Sequence, residues 1–204
     1  YAFRKDSFML YTPHRCMGFS FVIINDSTEW ACGWGSDVNE FVNGKHKRVI
    51  SLGSPIMSIT KAANDQIWLA SWDKGVFKYD GNSFIHYDHD QGLEYGSFWG
   101  CYTDDGGNVW FSSWGKGLFK FSGERFTKLT DKSGLVNNNV TGIHKAPDGK
   151  IWFSSENGLM YVDPLNNNFK KSFTEYDGKK LSKIMCSIVR PDNEILALGY
   201  GGYG

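Results

Sequence analysis

The sequence predicts an all-β chain, a β-propeller of four-stranded antiparallel blades, on three observations. A short pattern centred on tryptophan recurs along the chain at nearly constant spacing. Turn signals break the intervening apolar runs into strand-sized pieces. The composition suits strands and tight turns, with 16% aromatic residues and 24 Gly against 5 Pro.

The repeat carries most of the weight, because a missed repeat misreads the whole fold. Three strong copies read Gln66-Ile67-Trp68-Leu69-Ala70-Ser71, Asn108-Val109-Trp110-Phe111-Ser112-Ser113 and Lys150-Ile151-Trp152-Phe153-Ser154-Ser155. A weaker copy, Thr28-Glu29-Trp30-Ala31-Cys32-Gly33, precedes them. A degenerate copy, Glu194-Ile195-Leu196-Ala197-Leu198-Gly199, follows, with Leu196 in the tryptophan slot. The anchors stand at 30, 68, 110, 152 and 196, a period in the range of four-stranded propeller blades. Helical repeats reach similar lengths, but no 3.6-residue apolar stripe is sustained here.

The third copy shows one unit in order. A first strand, A, runs from Phe98 to Thr103 and ends at the turn Asp104-Asp105-Gly106-Gly107. Strand B, Asn108 to Ser113, carries the anchor and is apolar on both faces, as expected where blades pack on both sides. The turn Trp114-Gly115-Lys116-Gly117 leads to strand C, Leu118 to Phe121, and Ser122-Gly123 leads to strand D, Arg125 to Leu129. A loop containing Gly134-Leu135 then reaches the next blade. The anchor tryptophans are therefore expected in the core between blades.

The chain ends suggest how the ring closes. Residues 1–11 resemble strands C and D, paralleling Val76-Phe77-Lys78-Tyr79 and Phe84-Ile85-His86-Tyr87, and the last copy stops just after strand B. Joining the ends gives a fifth spacing of 38 residues, like the others. The expectation is one domain over 1–204, a five-bladed ring closed by N- and C-terminal strands that share a blade and hide each other's edges.

Composition narrows the partners. Charge is balanced, 22 Lys+Arg against 22 Asp+Glu, with no concentrated basic stripe, so nucleic acid is not expected. No apolar run reaches the length of a membrane span. The chain opens on Tyr1 without a leader-like region and reads as trimmed. Cys16, Cys32, Cys101 and Cys186 are widely spaced and lack a CxxC pair, so they read as small buried hydrophobes, with one disulfide left open. No metal or cofactor is expected. The run His86-Tyr87-Asp88-His89-Asp90 carries metal-ligand chemistry, but a solvated loop accounts for it equally well. No nucleophile-elbow, zinc-helix or phosphate-loop motif occurs.

The unit Asp148-Gly149-Lys150-Ile151-Trp152-Phe153-Ser154-Ser155, followed by Gly158-Leu159-Met160-Tyr161 and Phe169, resembles the two-component regulator propeller repeat. So does Trp110-Phe111-Ser112-Ser113 with Gly117-Leu118-Phe119-Lys120-Phe121, Phe126 and Gly134-Leu135. The resemblance covers nearly the whole chain and is strong in three copies. It implies the extracytoplasmic sensor propeller of a bacterial hybrid two-component system, a periplasmic or extracellular setting, an oligosaccharide ligand, and a signalling partner or parent chain. The family's propellers are commonly larger than five blades. Streptogramin lyase propellers are a more distant resemblance.

A site must be argued from its own residues. Four residues after each anchor come Trp34, Trp72, Trp114, Glu156 and Tyr200, in the B–C turns. These turns and the inter-blade loops are expected to open on one face around the central channel. A turn residue has little packing reason to be tryptophan. Flat aromatic faces stack on sugar rings, and an indole N–H can bond a hydroxyl. The same rings could instead pack on neighbouring turns and close the channel. Inter-blade loops add Arg15, Tyr95, Trp99 and Asn138, the last equally a turn former. The expected function is ligand binding at an aromatic-lined mouth. One alternative is a protein-interaction scaffold. Another is a lyase-like enzyme, for which Glu156 and His14 form a conceivable acid–base pair.

Overall fold

Strands bearing the anchor tryptophans are apolar at successive positions because both of their faces are covered. The computed structural model describes residues 2–4, 7–9, 17–34, 36–163, 168–192 and 194–199, with side chains described for 20–33, 38–163, 173–192 and 194–199. Chain order begins with a hairpin, β1 (Ala2–Arg4) and β2 (Ser7–Met9). Blade 1 follows as β3 (Met17–Asn25), β4 (Thr28–Trp34), β5 (Ser36–Val42) and β6 (Lys45–Ile50). Blade 2 is β7 (Ile56–Lys61), β8 (Ile67–Ser71), β9 (Val76–Tyr79) and β10 (Phe84–Tyr87). Blade 3 is β11 (Ser97–Thr103), β12 (Val109–Trp114), β13 (Gly117–Phe121) and β14 (Phe126–Leu129). Blade 4 is β15 (Val140–Lys145), β16 (Ile151–Ser155), β17 (Gly158–Asp163) and β18 (Asn168–Phe173). A small hairpin, β19 (Glu175–Tyr176) and β20 (Lys179–Lys180), precedes a last pair, β21 (Ile184–Val189) and β22 (Ile195–Gly199). Blades 1 to 4 are antiparallel four-stranded meanders. In the third copy the observed strands match the expected ones within a residue at each end.

Each anchor packs toward the blade that follows it. Trp30 lies among Ile59, Ile67, Leu69 and Phe77 of blade 2. Trp68 lies among Val109, Phe111, Phe119 and Phe121 of blade 3, and Trp110 among Ile151, Phe153 and Met160 of blade 4. Trp152 meets Ile184 and Val189 of the last pair. All five residues of β8 and of β16 are buried. Such burial supplies most of the cohesion between blades. Polar bonds between inner strands add register. The Ser20 hydroxyl accepts from the Ile59 N–H at 3.2 Å, the Ser58 hydroxyl accepts from the Cys101 N–H at 3.1 Å, and Thr141 Oγ1 donates to the Ile184 carbonyl at 2.6 Å.

Every A–B strand pair carries a register shift at the same place. It falls between Gly18 and Ser20, Ile56 and Ser58, Phe98 and Gly100, Val140 and Gly142, and Ile184 and Cys186. The extra residues are Phe19, Met57, Trp99, Thr141 and Met185, each eleven positions before its anchor. A bulge of this kind leaves one residue outside the ladder and sharpens the strand's twist.

The turn from strand B to strand C requires glycine. Gly117 has φ +84°, and a Cβ there would stand 2.2 Å from the Leu129 carbonyl oxygen; Gly158, at φ +137°, would stand equally close to that of Phe173. The neighbouring strand D passes too near for any side chain.

Among the described residues, β1–β2 and β21–β22 are separate two-stranded sheets, and the fifth blade stays an expectation. The apolar side chains that closure would cover stay exposed: Phe21 and Ile23 on blade 1, and Ile188, Leu196 and Leu198 at the other end. Leu196, in the tryptophan slot of the last copy, is exposed where the anchor tryptophans are buried. Against the expectation of buried cysteines, Cys186 is exposed, while Cys32 and Cys101 are buried, and burial pushes the Cys101 thiol up to about 12. Cys16 lies outside the described residues.

Candidate functional site: an aromatic ladder beside Glu156

Hydrogen bonds bring the B–C turns and the inter-blade loops onto one face. The Trp72 N–H donates to the Pro55 carbonyl at 2.9 Å, and the Glu156 N–H to the Asn139 carbonyl at 3.1 Å. Across blades, the Gly117 N–H donates to the Asn138 carbonyl at 2.9 Å and the Lys183 N–H to the Glu156 carbonyl at 2.6 Å. In blades 2 and 4 the turn is shaped from within by serine. The Ser71 hydroxyl donates to the Gly75 carbonyl and accepts from the Lys74 N–H, and the Ser155 hydroxyl donates to the Gly158 carbonyl. In blades 2 and 4 the serine that closes the tryptophan pattern is therefore a turn clamp, whereas the equivalent Ser113 hydroxyl of blade 3 finds no partner among the described residues.

On this face three tryptophans touch in series. The rings of Trp72 and Trp99 are 5.3 Å apart, edge to face, and those of Trp99 and Trp114 are 6.2 Å apart. Trp72 and Trp114 come from the B–C turns of blades 2 and 3. Trp99 is the bulged residue of β11 and stands between them. Its indole N–H is buried and finds no acceptor among the described residues. Trp114 is 39% exposed and closes the ladder at the solvent side.

Beyond Trp114 lies a cavity of about 100 Å³, lined also by Thr141, Glu156, Lys183, Ile184 and Met185. The Glu156 carboxylate accepts from the Asn139 side-chain amide. Thr141 spends its hydroxyl on backbone carbonyls of Ser154 and Ile184. Trp114, Glu156 and Lys183 thus border one small space. That combination can stack on a ring and bond its hydroxyls.

The expected site residues separate into groups. Trp72, Trp99, Trp114 and Glu156 are brought together. Tyr95 is elsewhere, 76% exposed in a cleft between blades 2 and 3 and stacked on His89. Asn138 is a loop former, as its side-chain oxygen accepts from the Asp131 N–H at 2.9 Å and its carbonyl takes the Gly117 N–H. Arg15 and Tyr200 lie outside the described residues, as do His14 and the side chain of Trp34. The sequence reading missed Thr141 and Met185. Both are bulged residues, and the constant eleven-residue offset from each anchor is the signal that marks them. Among the described residues no group of three or more His, Cys, Asp and Glu is arranged to hold a metal ion. Among the described residues no helix is long and apolar enough to cross a membrane.

The sequence pattern described as "Two component regulator propeller" matches residues 134–157, which run from the inter-blade loop through β16 to the Glu156 turn. The fold is similar to the extracellular domain of a putative hybrid two-component system from B. thetaiotaomicron, with TM-score 0.76 and 16% identity over 91% of this chain and 26% of that one. A second such domain from the same organism gives TM-score 0.71 and 18% identity over 92% of this chain and 29% of that one. Virginiamycin B lyase from Staphylococcus aureus gives TM-score 0.68 and 10% identity over 89% of this chain and 63% of that one. The chain spans less than a third of the two-component domains it matches. No curated protein matches it by sequence. The chain thus carries one two-component regulator propeller repeat, in its fourth blade, within a fold of four-stranded blades like those of the two-component domains.

Proposed function

We propose that the chain is the ligand-sensing part of a two-component sensor, exposed to the periplasm or the cell exterior, and that it binds an oligosaccharide at the tryptophan ladder. The observation that carries this reading is the contact series Trp72–Trp99–Trp114, ending in a half-exposed ring beside Glu156. Three large rings on adjoining turns and a bulge exceed what the blades need for packing, since their cores lie between the sheets. The structural likeness to extracellular domains of hybrid two-component systems supports a sensor role and a parent chain that carries the signal onward. Chemistry on the ligand forms no part of this reading.

A glycan array, followed by tryptophan fluorescence titration of each hit, tests it. A saturable change in emission is expected, and the double substitution Trp72→Ala/Trp114→Ala should remove binding while leaving the fold intact. Affinity that survives the double substitution would sink the ladder as the site. A blank array on folded protein would favour the scaffold reading, which has the exposed faces at Phe21 and Leu198 on its side.

A further inference from the structure

The inter-blade loops that follow blades 2 and 3 have the same backbone. Each opens on an extended residue, Asp88 or Thr130, makes one short 3-10 turn, and ends it on a left-handed glycine, Gly92 or Gly134. A buried leucine, Leu93 or Leu135, comes next. The side chains at matching positions then diverge. In the later loop they are Asp131 and Asn137, and both bond the loop's own backbone: Asp131 takes the Lys132 N–H and Asn137 the Asn139 N–H. In the earlier loop they are His89 and Tyr95, which stack at 5.5 Å with planes 11° apart. The backbone needs neither ring, since the other loop folds without them. Leaving a tyrosine 76% exposed over a cleft forgoes burial that the chain provides elsewhere.

That pair borders a cavity of about 230 Å³ between blades 2 and 3, lined also by Asp73, Lys74, His86 and Glu94. The cavity adjoins the tryptophan ladder through both of its turns. Asp73 directly follows Trp72, and Glu94 pairs with Lys116 of the Trp114 turn at 3.6 Å. His86 is fixed by a 2.6 Å bond to the Lys74 carbonyl and by stacking on Phe77. Glu94 is balanced by Lys116 and Lys128, which hold its carboxyl below the usual range. The lining also sets the carboxylates of Asp73 and Asp88 beside the one lysine, Lys74, among its residues. The lining therefore has no excess positive charge to hold an anion, and its carboxylates suit vicinal hydroxyls.

We infer that this cleft is a second subsite, in which Tyr95 and His89 take a further neutral sugar ring of the same chain that occupies the tryptophan ladder. The inference rests on the ladder being the primary site, and it makes the ligand a linear neutral oligosaccharide lying outward along the junction of blades 2 and 3.

The test is a fluorescence titration with neutral gluco-, manno- and xylo-oligosaccharides, each from disaccharide to octasaccharide, on the wild-type chain and on Tyr95→Ala, Tyr95→Phe and Trp114→Ala. Affinity should rise with length in the wild type. Tyr95→Ala should remove about tenfold from the long members and nothing from the disaccharide, while Tyr95→Phe keeps the gain. Trp114→Ala should weaken every length. Equal loss at all lengths, or no effect of Tyr95→Ala at any length, overturns the second subsite and leaves the ladder standing. Failure of every oligosaccharide to bind overturns both.

Discussion

Blades 3 and 4 are built alike, yet they treat the same tryptophan differently. In blade 3 the indole N–H of Trp110 donates to the buried carboxylate of Asp104 at 2.8 Å, which also takes the backbone and side-chain N–H groups of Asn108. Lys120 lies 4.9 Å over the Trp110 ring. In blade 4 the residue matching Asp104 is Ala146, and the Trp152 N–H is buried without an acceptor among the described residues. Opposite Trp152 on β15 stands His144, whose Nε2 is likewise buried and unpaired, where blade 3 has Tyr102 opposite Trp110. The A–B turns are otherwise the same: the N–H of Asp104 meets the Asn108 carbonyl at 2.9 Å, and that of Ala146 meets the Lys150 carbonyl at 2.8 Å. The anchor's place is set by apolar packing, since it holds with or without a polar partner. The hydrogen bond adds stability to one blade and does not define the fold.

The largest expected effect comes from removing the ring. Trp110→Ala should destabilise the chain by about 3–5 kcal/mol, the cost of emptying a buried aromatic site. Trp152→Ala should cost less, because no hydrogen bond is lost with it; urea unfolding midpoints measure both. Equal losses would mean that the Asp104 bond contributes nothing.

Next comes the carboxylate. Asp104→Ala should cost about 1–3 kcal/mol, since it strands the N–H groups of Trp110 and Asn108. The reverse change, Ala146→Asp, should return up to about 1 kcal/mol to blade 4 by giving Trp152 an acceptor. A fall in stability on Ala146→Asp would show that the blade 4 turn cannot house a carboxylate.

The smallest effect is a pH slope. Burial holds the His144 imidazole below its ordinary value of 6.5, so the unfolded chain binds the proton more readily. Its contribution is fully present above that value and is lost as pH falls through and below it. Thermal unfolding followed from pH 7.5 to pH 5 should show this loss in the wild type and a shallower one in His144→Phe. An unchanged slope would assign the acid sensitivity to other groups.

The strands were legible because they are local. A run such as Ile151-Trp152-Phe153, bounded by Pro147-Asp148-Gly149 and by Gly158, contains its own apolar signal and its own stops. Ring closure was not legible in that way. The spacing between repeats is blind to whether β22 finds a partner, and the exposure of Leu196 and Leu198 is a property of neighbours rather than of sequence. At the site, Trp72 and Trp114 could be placed because they sit at a fixed step after each anchor, and the likeness of the turns carried them to one face. Asn138 could not be assigned, as asparagine serves loops and ligands with the same amide. The partition of Tyr95 from Trp99, four residues apart, was hidden because the chain between them turns from the rim into the innermost strand.

The five equivalent bulges have one more consequence, which concerns how such a protein changes. Four of the five anchor positions hold tryptophan, while the bulged positions hold Phe, Met, Trp, Thr and Met. A residue left out of the ladder has no residue paired opposite it, yet Thr141 still bonds the Ser154 and Ile184 carbonyls through its hydroxyl. The inner strands thus carry a constant position and a variable one side by side, and under the proposed function a change of specificity falls on the variable one.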